Sequence, residues 1–258
     1  MAKARVYLMA DDDDRERIRA IQDETTSKVK VQRWCGAAYN LGGGAPKVLC
    51  LLSTRTTRAE APGAMPAMTL PLPSGDTWTR ADYEALPEDL PVRVSLIHGE
   101  LVVSPRPRPI HQRIARRLAT RLEDAAPDAW QVDTDVDVLL DDDETEPVEI
   151  APDIVVYSAE HDPYERPIHA ESVTLVAEVV SPSTKRKDRR MQPTLYAGAG
   201  IRHYWRVETD QTAPAFAIYT YELDDATGGY VATGVHHDRI TATLPFALDI
   251  DLKAVHER

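Results

Sequence analysis

Only two cysteines, Cys35 and Cys50, occur in 258 residues. Two thiols make neither a disulfide framework nor a four-ligand zinc site, so stability must come from an ordinary core, and a reducing cytoplasm is the expected compartment. Aromatic residues are scarce at 6%, with two phenylalanines, yet the apolar fraction of 43% is that of a globular protein and excludes wholesale disorder. No run approaches the ~18 consecutive apolar residues of a membrane span. The first twenty residues, MAKARVYLMADDDDRERIRA, lack the apolar core and cleavage site of an export signal, so export is not expected. Net positive charge is missing as well. At a formal charge of -12 the body of the protein repels polyanions, and any contact with nucleic acid must come from a local basic patch.

What is present divides unevenly along the chain. Residues 1–70 combine the acidic run Asp11 to Asp14, the triplet Gly42 to Gly44 and a Thr/Pro-rich stretch without sustained periodicity. They are expected to form a poorly ordered extension, and Met65 and Met68 mark an alternative start for the patterned region that follows. Residues 71–258 are expected to form the functional domain. Thr79 is placed to cap a short helix that Pro87 ends, and SLIHGELVVS reads as a hairpin turning at Gly99 with a bulge. Ile110, Ile114, Leu118 and Leu122 recur every four residues and predict a helix over 109–125 with one apolar stripe. AWQVDTDVDVLL alternates valine with aspartate, as a half-exposed strand does. PDIVVYS and VTLVAEVV are two apolar strands, and MQPTLYAGAG is a short helix ended by Gly198 or Gly200. Further strands follow to the C-terminus. Strands flanked by two substantial helices predict an α/β or α+β sandwich around one mixed sheet, of which α/β is preferred.

Within this pattern Glu178 is anomalous, because it sits inside the apolar strand VTLVAEVV. An isolated ionised carboxylate in such a setting costs several kcal/mol, so Glu178 must be protonated, paired or bound to a cation. Asp153 opens the other apolar strand. If the two strands are neighbours in suitable register, both carboxylates address one hard cation; Mg²⁺ is favoured because it takes few protein carboxylates and completes its shell with water and phosphate. The competing reading makes Glu178 half of a structural ion pair with an arginine such as Arg116, and Asp153 a turn residue. Basic residues cluster nearby. RPRPIHQRIARRLATR carries Arg106, Arg108 and Arg113, and STKRKDRR carries Lys185 and Lys187. These suit a phosphate backbone, although the solvated face of a helix explains the first cluster equally well.

Four blocks, LIHGELVVSPRPRPIHQRI, APDIVVYS, LVAEVVSPSTKRKD and YAGAGIRHYWRVE, resemble in order and spacing the Uma-type restriction endonuclease family, a branch of the PD-(D/E)XK nuclease superfamily. The resemblance implies a restriction-endonuclease-like mixed β-sheet flanked by helices. It implies a DNA endonuclease in which Asp153, Glu178 and the carbonyl of Val179 hold Mg²⁺, with Mn²⁺ as a substitute, and in which His111 neighbours the site; homodimers are frequent among enzymes of this fold. Two departures stand out. The superfamily's lysine falls at Val180, or, where it has moved to the next helix, at Gln192, whose amide carries no charge. Ser95 and His98 replace the hairpin acids, leaving Glu100 as the nearby carboxylate. These departures motivate the alternative of a catalytically degenerate fold that binds nucleic acid or protein.

Overall fold

The computed structural model describes residues 6–8, 48–51, 68–71, 73, 75–87, 89–90, 92–104, 106–180, 191–209 and 216–256. The expectation for residues 1–70 falls largely outside them. The chain divides into two compact units, residues 1–106 with 142–148, and residues 107–141 with 149–258. Among the described residues no helix is long and apolar enough to cross a membrane.

In the first unit β1 (Val6–Leu8), β2 (Val48–Leu51) and β3 (Met68–Pro71) are short; β2 pairs with β3. Helix α1 (Arg80–Glu84) starts at Thr79, whose side chain accepts from the Asp82 amide while the Asp82 carboxylate accepts from the Thr79 amide. This reciprocal cap satisfies two donors that a five-residue helix would otherwise leave orphaned. β4 (Arg93–Ile97) and β5 (Glu100–Ser104) form an antiparallel hairpin, and β1 runs parallel to β5. His98 and Gly99 both have positive φ, so the hairpin closes on a two-residue turn without the expected bulge. Trp78, Leu96, Leu101 and Val103 are buried together.

Glycine is required at position 99 for two reasons. Its φ is +69°, and a Cβ there would lie 2.8 Å from the Thr145 carbonyl oxygen and 3.0 Å from Thr77 Cβ. Gly99→Ala is therefore expected to destabilise the protein by about 1–3 kcal/mol, read as a lower urea midpoint at unchanged slope.

The second unit carries the large mixed sheet. Its elements are helix α2 (Pro109–Ala125), β6 (Trp130–Asp133), β7 (Val138–Asp141), β8 (Val148–Ile150, at the unit boundary), β9 (Ile154–Ser158), β10 (Ile168–His169) and β11 (Val173–Val180). They are followed by α3 (Met191–Gly198), β12 (His203–Thr209), β13 (Phe216–Asp224), β14 (Gly229–His236), β15 (Arg239–Ala242), β16 (Leu248–Asp251) and α4 (Lys253–His256). Six strands run in the order β14-β13-β12-β11-β9-β6. All neighbours are antiparallel except β11 and β12, which are parallel and joined through α3. The fold is therefore α/β with mixed pairing, but the single sheet expected from sequence is one of several, since β1, β5 and β4 of the first unit pair outside it.

Helix α2 has the predicted bounds because Pro109 starts it at a position that needs no N–H donor. Ile114, Ala115, Leu118, Ala119 and Leu122 bury its stripe against Ile154, Val156, Leu175, Ala177 and Val179 of the sheet, while Ile110 stays exposed. The single strand expected over 129–140 is two strands. Asp135 adopts φ 60°, a conformation aspartate tolerates, and its amide donates to the Pro152 carbonyl, which breaks the ladder between β6 and β7. Helix α3 ends as expected: Gly200 at φ +77° donates to the Ala197 carbonyl and Ile201 to the Tyr196 carbonyl, the paired bonds of a glycine C-cap.

His203 in β12 is buried, and burial holds its pKa below the ordinary value near 6.5, outweighing the nearby Glu222 charge. The unfolded chain therefore binds a proton first as pH falls through 6.5, so this residue's contribution to stability is full above that pH and is lost below it. The melting temperature is expected to fall from pH 7.5 to 5.5, and His203→Gln to shrink that fall.

Candidate active site

The alternation of β11 decides where its carboxylate goes. Leu175, Ala177 and Val179 face α2, so Val176, Glu178 and Val180 project from the opposite side, and β11 is buried on both. Antiparallel pairing sets Leu175 against Val156, Val176 against Val155 and Ala177 against Ile154. Asp153 stands immediately before β9, one residue beyond the last paired position, and its side chain reaches the Val179 amide, next in sequence to Glu178 on β11. Asp153 and Glu178 are 5% and 6% exposed.

Asp153 Oδ2 and Glu178 Oε1 each take neutral or histidine donors. Asp153 Oδ2 accepts the Val179 amide at 2.8 Å and lies 2.9 Å from His111 Nε2. Since a carboxylate only accepts, the proton of a neutral His111 sits on Nε2. The ring is 11% exposed, and its buried Nδ1 has no hydrogen-bond partner among the described residues. Glu178 Oε1 accepts the Gln192 side-chain amide at 3.0 Å and a short hydrogen bond from the Tyr196 hydroxyl. Gln192 and Tyr196, four apart, share one face of α3. Burial first, then the charge of Glu178, raises the Tyr196 pKa well above 10, with a smaller contribution from Asp153. The phenol therefore stays protonated and donates. Both negative charges act on this one hydroxyl.

His111, Asp153, Glu178, Val179 and Gln192 thus gather in one unit. Glu100 lies on β5 and Arg106 follows it, both in the other unit, where Arg106 Nη2 donates to the Leu90 carbonyl at 2.7 Å. Arg108 is the N-cap of α2 and is exposed; Arg113 is half-buried one turn further on. Lys185 and Lys187 lie outside the described residues. Arg116, the alternative partner of Glu178, is exposed on α2. Tyr196 was not singled out by sequence as a partner, although its spacing of four from Gln192 was a usable signal.

Among the described residues no group of three or more histidine, cysteine, aspartate or glutamate side chains could by itself hold a metal ion. Two carboxylates with a backbone carbonyl are nonetheless a hard oxygen set, and it fits an ion that takes its remaining ligands from water and phosphate.

The class defined by this fold is borne out by comparison with known proteins. The chain belongs to the Uma2 family, described as "Putative restriction endonuclease", whose model matches residues 80–254. Among solved structures it is similar to a protein from Anabaena variabilis described as a putative nuclease belonging to DUF820, at 17% identity and a TM-score of 0.54, over 69% of this chain and 97% of that one. That likeness establishes the shared fold. No curated protein matches the chain.

Proposed function

We propose that this protein is a Mg²⁺-dependent nuclease that hydrolyses phosphodiester bonds in DNA, acting in the cytoplasm, with its functional region inside residues 71–258. The observation that carries the reading is the gathering of two buried carboxylates, Asp153 at the head of β9 and Glu178 within the adjacent β11, in a nuclease-family fold. Carboxylates buried without a task are costly, and this pair is held in place by donors from α2, α3 and β11. Asp153, Glu178 and the carbonyl of Val179 would hold the ion, with Mn²⁺ as a substitute. When bound, it supplies positive charge at the scissile phosphate and eases ionisation of water.

The chain's own residues do the rest. Tyr196 and Gln192 fix the rotamer of Glu178; His111 and the Val179 amide fix Asp153. Arg108 and Arg113, at the positive end of α2, position the backbone of the substrate. In hydrolysis the water oxygen bonds to phosphorus, one ester P–O bond breaks, and the departing oxygen takes a proton. The test is nicking of supercoiled plasmid. We expect cutting with Mg²⁺ or Mn²⁺ and none with EDTA; cutting that persists in EDTA would overturn the metal requirement.

A second reading rests on Gln192. Its amide stands beside Glu178 where a lysine would supply charge. A fold degenerated in this way binds nucleic acid or protein without cutting. Salt-sensitive DNA binding with no nicking in either metal would favour it.

A further inference from the structure

Glu178 has a charged neighbour on its other side. In the parallel pairing of β11 with β12 its direct partner is Arg206. Partners in a parallel pair project to the same face of the sheet, so Arg206 stands one strand away on the face that carries Glu178. That face bears α3, since Tyr204, two residues before Arg206, meets the Tyr196 ring at 6.0 Å.

The guanidinium is held in place. It lies 4.7 Å from the ring centre of Tyr219, its antiparallel partner on β13, and 5.4 Å from that of Tyr221. Its Nε is 2.9 Å from Glu208, but not in hydrogen-bonding alignment, and the side chain is 17% exposed. Among the described residues neither Nη atom donates to a protein acceptor. Stacking on tyrosine fixes the plane of the group, and the planar fork is the geometry that recognises phosphate bidentately. An ion pair with Glu208 alone would not account for this, because partly exposed pairs contribute little.

We propose that Arg206 is a phosphate-binding residue of the site, gripping a backbone phosphate of the nucleic acid next to the one addressed by Asp153 and Glu178. The proposal rests on the nuclease reading. Arg206 positions substrate, so its loss raises KM more than it lowers kcat. Glu208 competes with phosphate for the same cation.

The experiment uses the full chain, a fluorescein-labelled DNA duplex in EDTA read by anisotropy across a salt series, and plasmid nicking in Mg²⁺. Arg206→Gln is expected to raise Kd about tenfold and to lower the slope of log Kd against log salt by about one. Arg206→Lys should keep the slope and recover part of the affinity. Glu208→Gln should tighten binding. A wild-type Kd and slope in Arg206→Gln, with wild-type nicking intact, would overturn the role of Arg206 and leave the nuclease reading standing. Absence of both binding and nicking in the wild type would overturn both. Should Arg206→Gln melt below the assay temperature, Glu208→Gln decides, and no gain in affinity there counts against the proposal.

Discussion

Asp153→Ala and Glu178→Ala are each expected to slow plasmid nicking by roughly a thousandfold or more. The magnitude follows from the several kcal/mol that a cation contributes at a phosphate, with each 1.4 kcal/mol worth a factor of ten. Asp153→Asn and Glu178→Gln are the sharper pair, because they keep the shape of the side chain. The Val179 amide and the Tyr196 hydroxyl retain an oxygen to donate to, so the packing survives while the charge is removed. Glu178→Gln should melt no lower than wild type, since it takes a charge out of a buried setting. A loss of nicking with an intact melt therefore reports chemistry. Cutting that survives these substitutions would come from a contaminant, and the hydrolytic assignment would be withdrawn.

The second large effect is a gain. Gln192→Lys is expected to raise kcat for nicking at least about tenfold with little change in KM. Gln192 already reaches Glu178 at 3.0 Å, and a lysine on the same turn of α3 has the length to set its ammonium group there. A preorganised positive charge beside the phosphate stabilises charge that develops in the transition state, which the neutral amide cannot do. The buried Gln192 Oε1 has no hydrogen-bond partner among the described residues, so its replacement forfeits no bond at that atom. Gln192→Met is the control for shape and should show no gain. If Gln192→Lys is equally silent, residue 192 does not limit the chemical step.

Some of this site was legible before any coordinates. Glu178 betrayed itself by polarity, a carboxylate in an apolar strand, and Asp153 by its place at the head of the other apolar strand. The bounds of α2 followed from Pro109 and the four-residue stripe, although the stripe could not show that Ile110 would remain exposed. The break at Asp135 was invisible, because an alternating pattern carries no information about a positive φ. Arg206 read simply as part of a strand. Nothing near it in sequence marks it, and its meaning comes from residues 28 places earlier and 13 and 15 places later, which only strand pairing brings alongside.

By itself the amino-acid order determined which segments become helix or strand, which faces must be buried, and which two carboxylates are out of place in them. Those are consequences of local periodicity and of the cost of desolvating a charge. Tertiary structure alone decided who stands beside those carboxylates: Tyr196 and Gln192 against Glu178, His111 against Asp153, and Arg206 one strand over. Register and crossover connection set these neighbours, and both are properties of chain segments far apart in sequence that meet only once the sheet has formed.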